Sequence, residues 1–129
     1  MYLNNQVQLI TYVDRLTGAG LTELNDVLLN EFKELFGGVH LLPFFNPIDG
    51  EDAGFDPIDH TEVDARLGSW SDIATIGRSH DIMADLIVNH VSAQSLVFQD
   101  VLEKGSASEF FDLIMTKEKV FGEHAQQED

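Results

Sequence analysis

The apolar positions of the chain fall into short β-branched runs separated by segments of helical spacing. Val7-Gln8-Leu9-Ile10-Thr11-Tyr12-Val13 is such a run, closed by the polar pair Asp14-Arg15, and predicts a strand. Gly18 and Gly20 then break the chain. Leu21, Leu24, Leu28, Phe32, Leu35 and Phe36 recur three and four residues apart, which predicts a helix halted by Gly37-Gly38. Val39-His40-Leu41-Leu42 reads as a second strand, stopped by Pro43. Ser69, with an acid three positions later at Asp72, predicts a helix start whose apolar face is Trp70, Ile73, Ala74 and Ile76. Residues 81–88 form a third strand, apolar enough to be buried on both faces. The order βαβαβ implies parallel strands joined by right-handed crossovers. Two helical stretches follow, around 96–104 and 108–115, and the chain closes on a polar tail with no internal repeat.

Between the second strand and Gly68 lies a loop of roughly twenty residues, longer than the ~12–15 that compact domains usually leave without structure. Asp49, Glu51, Asp52, Asp56, Asp59, Glu62 and Asp64 crowd it, while Phe55 and Ile58 argue against a solvated linker. It reads as an ordered site loop. The whole chain carries 7 basic and 23 acidic residues, a net charge of −16 that disfavours nucleic acid and anionic membranes. A length of 129 residues suffices for one ordinary core. Cysteine is absent, so disulfides and thiolate chemistry are excluded. No apolar stretch reaches the ~20 residues of a membrane helix. The first residues, Met1 to Gln6, lack the pattern of a signal peptide, and a cytoplasmic enzyme is the simplest expectation.

The chemistry concentrates in Asp85-Leu86-Ile87-Val88-Asn89-His90, a strand that ends on two hydrogen-bonding side chains. In β/α folds, sites form beyond the carboxyl ends of parallel strands. A histidine in such a place is more often structural than functional, but Asp85 and Asn89 stand where they could fix His90 by hydrogen bonds. The acids of the loop do not follow the twelve-residue calcium pattern. They suit sugar recognition better, a carboxylate accepting from hydroxyls while an aromatic such as Phe55 covers the ring; an ordinary core role for Phe55 stays open. His40, His60 and His80 make no convincing metal set. Neither a nucleophile elbow nor a phosphate-cradling glycine loop is present.

These residues together resemble a known family. Val7-Gln8-Leu9-Ile10-Thr11-Tyr12, Gly38-Val39-His40-Leu41-Leu42-Pro43-Phe44-Phe45, Asp52-Ala53-Gly54-Phe55-Asp56-Pro57 and Asp81-Ile82-Met83 through His90 are similar to bacterial sucrose phosphorylases, within the α-amylase superfamily of glycoside hydrolases. The superfamily's first signature is an Asp separated by three residues from an Asn-His pair, matched by Asp85, Asn89 and His90. The resemblance runs from Val7 to about Phe121. It implies an α/β fold, the N-terminal portion of a (β/α)8 barrel. Residues 1–91 would form three βα units, and 92–129 a helical segment opening the domain inserted after the third strand.

The activity implied is retaining glucosyl transfer from sucrose to phosphate through a covalent glucosyl-enzyme, giving α-glucose 1-phosphate and fructose. Asp52, Phe55 and His90 would bind the glucosyl unit, with Asp85 and Asn89 supporting the strand end. Phosphate is the co-substrate, no metal or organic cofactor is implied, and the whole enzyme would be a monomer or homodimer. The family's nucleophile, acid/base and stabilising carboxylates match nothing in this sequence, and a full barrel takes about 250 residues. The expectation is therefore a poorly stable fragment without activity of its own. Two alternatives stand beside it: a fragment of another glycosidase or glucoside phosphorylase of the superfamily, or a stand-alone acidic βαβ binding module.

Overall fold

A computed structural model describes residues 6–46 and 53–122 of the chain. It divides into two compact units, Met1–Val91 and Ser92–Asp129. In the first, the element order is β1 (Gln8–Thr11), α1 (Val13–Thr17), α2 (Leu21–Leu29), β2 (Gly38–Leu41), β3 (Phe45–Asn46), β4 (Asp59–Val63), α3 (Trp70–Ile76) and β5 (Asp81–Ala84). Strands β1, β2 and β5 form one parallel sheet in that order, with Gln8 opposite Gly38 and Gly38 opposite Asp81. The βαβαβ reading of the sequence holds.

The core lies where the helices meet this sheet. Leu21, Leu24 and Leu28 give α2 one fully buried stripe, and α3 adds Ile73 and Ile76. They close on Val39 and Leu41 of β2 and on Val13, Phe44 and Ile87. Burying each such side chain stabilises the unit by roughly 1.5–3 kcal/mol. Two close approaches depend on glycine for want of room. A Cβ on Gly20 would stand 2.5 Å from the backbone oxygen of Leu67, which accepts from Leu21 N at 2.7 Å. One on Gly38 would stand 2.8 Å from the Asp81 carbonyl across the sheet.

Local boundaries depart from the sequence reading in several places. The first strand stops at Thr11; Val13 is buried at the head of the short α1, so Asp14-Arg15 sit in a helical turn. Gly18 ends that turn at φ 72°, a left-handed conformation with little cost for glycine, and returns its N–H to Asp14 O at 2.7 Å. Helix α2 ends at Leu29, where the Asn30 side chain takes up the Asp26 carbonyl, and Gly38 opens β2 instead of closing the helix. The loop before Gly68 contains an antiparallel pair, β3 with β4. The third strand ends at Ala84. As the edge of the sheet it has a partner on one side only, and Met83 and Ala84 are exposed rather than buried.

Helix α3 begins as the sequence predicts: Asp72 Oδ2 accepts from Ser69 N at 2.8 Å and from Ser69 Oγ at 2.6 Å. The second unit holds α4 (Leu96–Lys104), two short 3₁₀ turns at Gly105–Ala107 and Phe111–Leu113, and α5 (Lys117–Phe121). Ser95 caps α4 by accepting from Phe98 N at 3.2 Å. The helix expected around 108–115 is only the second of those turns. Its Ser108 side chain bonds Asp100 Oδ2 at 2.6 Å and also accepts from Phe110 N, competing with helical continuation. Among the described residues no helix is long and apolar enough to cross a membrane.

Candidate functional site

The site is built where β5 runs out. Residues 85–88 have left the sheet, and of these only Ile87 returns to the core, at 6% exposure, while Leu86 and Val88 are 84% and 78% exposed. Two polar contacts hold the rest. His40 of β2 donates from Nε2 to Asp85 Oδ2 at 3.2 Å, a carboxylate oxygen being able only to accept. His90 Nε2 meets the backbone oxygen of Phe55 at 2.5 Å, so that nitrogen also carries the proton. Asp85 thus turns to His40, and not to His90 as the sequence reading allowed. The chain hydrogen-bonds His90 through the loop.

The loop arrives there on a tight turn. Ala53 and Gly54 both take left-handed φ values, 58° and 88°, immediately before Phe55. A non-glycine residue in that region stores strain, which is often found at functional loops. Beyond the turn, Asp59 Oδ1 accepts from Thr61 N at 2.7 Å and Thr61 Oγ1 at 2.6 Å. The side-chain bond and then the backbone bond from Thr61 hold the Asp59 carboxyl below its usual range. Buried Asp64 is clasped by Arg66 through Nε at 3.0 Å and NH2 at 2.8 Å, and Asp64 N donates to Phe44 O at 2.9 Å. Trp70 stacks edge-on against Phe44 and donates from Nε1 to Thr61 O at 2.8 Å. The base of the loop is therefore well anchored.

Of the residues singled out from the sequence, His90 and Phe55 are brought together. Phe55 is partly buried and packs against the core, and its carbonyl accepts from His90. Asp85 supports the strand end through His40. Asn89 is exposed and makes no side-chain hydrogen bond among the described residues. Asp52 lies outside the described residues. Among those described, no three His, Asp or Glu side chains converge as metal ligands would. The sequence reading missed His40, weighed there only as a metal ligand; its partner is forty-five residues away, so no local spacing reveals the pair.

The solved structures that this chain resembles are α-amylase-family (β/α)8 barrels, in which the site forms beyond the carboxyl ends of parallel strands; this chain has three such strands. It is homologous to the sucrose phosphorylases. It is 62% identical over 127 residues to sucrose phosphorylase of Agrobacterium vitis, covering 98% of this chain and 26% of that protein. With sucrose phosphorylase of Bifidobacterium adolescentis it shares 53% over 127 residues, 98% of this chain and 25% of the relative. The solved structure of sucrose 6F-phosphate phosphorylase from Thermoanaerobacter thermosaccharolyticum superposes with a TM-score of 0.78 at 51% identity, over 87% of this chain and 22% of that one. The chain thus spans about a quarter of the length of the curated relatives it matches. No family model matches it.

Proposed function

We propose that this chain is the glucosyl-holding part of a sucrose phosphorylase, an enzyme that transfers glucose from sucrose to inorganic phosphate with retention, releasing fructose. In that reaction a carboxylate displaces fructose to form a glucosyl-enzyme while a carboxylic acid protonates the leaving oxygen; phosphate then takes the glucosyl group. Here His90 donates to a glucosyl hydroxyl, Phe55 packs on the ring and Asp52 accepts from a second hydroxyl, with Asp85 and Asn89 shaping the strand end. The enzyme works in the cytoplasm and uses neither metal nor organic cofactor. None of these side chains is a nucleophile or acid/base, so the chain positions the sugar and does not cleave it.

The observation that carries this reading is the 62% identity to the Agrobacterium vitis enzyme across almost the whole chain. The test is a graft in which this chain replaces the matching segment of that enzyme. The graft should form glucose 1-phosphate and fructose from sucrose and phosphate, whereas the 129-residue chain alone should form neither and should melt without a sharp transition. A folded graft devoid of phosphorolysis, or turnover by the chain alone, overturns the proposal.

A further inference from the structure

The segment that carries His90 has left the ladder, and among the described residues three contacts tie it to the unit: the hydrogen bond from His40 to Asp85 where it leaves β5, the burial of Ile87, and the hydrogen bond from His90 to the Phe55 carbonyl at its far end. The ladder sets His40 opposite Met83, so the bond to Asp85 reaches two residues past the register and one past the last paired residue. Both side chains are largely sheltered, 18% and 25% exposed, where water competes less for the bond than at an open surface. We propose that His40 is a positioning residue for the sugar site: by pinning Asp85 to β2 it fixes the path of residues 85–90, and with it the imidazole of His90. The inference rests on the glucosyl role proposed for His90. Its physical content is separate, because it says which side chain holds that segment whether or not sugar binds there.

The experiment uses the graft described above, with His40→Ala and His40→Gln. A glutamine amide can still donate to Asp85, and alanine cannot. With His40→Ala, the KM for sucrose should rise about tenfold, as for a lost hydrogen bond of ordinary strength, while the KM for phosphate stays within a factor of two. Glutamine should restore most of the difference. Amide exchange across residues 86–90 should quicken in the alanine variant while β1 and β2 keep their protection. Equal KM values and equal exchange in all three proteins overturn the inference. So does a general loss of protection in the alanine variant with both KM values raised, since that marks a merely structural histidine. If the unsubstituted graft has no phosphorolysis, the sugar reading fails, and the exchange pattern alone still decides whether His40 holds the segment.

Discussion

The Nε2 proton of His90 points at the backbone oxygen of Phe55, 2.5 Å away, and joins the end of one strand segment to the loop between two others. A carbonyl accepts there. In the glucosyl role proposed for His90, a sugar hydroxyl using the same nitrogen would have to displace that carbonyl or share the proton with it, which would couple binding to loop position.

His90→Ala in the graft should therefore do two things. The kcat/KM for sucrose should fall by at least about tenfold through loss of a hydrogen bond. Amide exchange over residues 53–58 should also quicken without sugar, because the loop loses its tie. Steady-state kinetics and exchange mass spectrometry read the two effects separately.

Gly20→Ala should be destabilising, since Gly20 is the extended N-cap of α2, where alanine has no propensity advantage. The new methyl would meet the Leu67 backbone oxygen at 2.5 Å, and backbone cannot rotate aside as a side chain can. An overpacking cost of about 1–3 kcal/mol is expected, read as a lowered urea midpoint of the graft. Gly18→Ala, where nothing lies within 4 Å but φ is 72°, should cost only the left-handed strain, about 1–2 kcal/mol.

Leu24→Ala should cost about 2–5 kcal/mol, since Leu24 is fully buried between α2 and the sheet. Leu29→Ala, five residues on and so off the buried stripe at 43% exposure, should cost far less. The ratio of the two urea-midpoint shifts checks which face of α2 is buried.

In the second unit, Asp100 pairs with Lys104 one turn on and accepts from Ser108 Oγ. These bonds, Lys104 first and Ser108 next, hold the Asp100 carboxyl below its usual 3.8, and the bond to Asp100 raises Lys104 above its usual 10.5. A depressed carboxylate contributes stability that is present above its unfolded value and lost as pH falls through the folded one. The raised lysine contributes below its unfolded value and loses that as pH rises through the folded one. Amide protection of 101–108 should thus be flat near neutrality and fall at both extremes, and Asp100→Asn should remove both limbs.

Elements with strong periodicity were legible in the sequence: the α2 stripe, the capped start of α3 and the parallel order of the strands. Short ones were not. Helix α1 has five residues, less than the span over which a helical repeat becomes visible. Strand β4, Asp-His-Thr-Glu-Val, is too polar to alternate and is defined by pairing with a two-residue partner. The site divided in the same way. Asp85 and His90 stand out because they open and close an apolar run, while the His40 contact exists only once β2 and β5 lie side by side.

The chain has one tryptophan, and its place gives that residue a further use. Trp70 begins α3, touches Phe44 just before β3, and donates to Thr61 in β4, the strand that closes the site loop. It is half exposed, so its indole samples both core and solvent. The molecule thus carries an intrinsic fluorophore at the base of the loop that bears Phe55. A sugar that draws His90 away from Phe55 should announce itself as a change in emission colour, with no label attached.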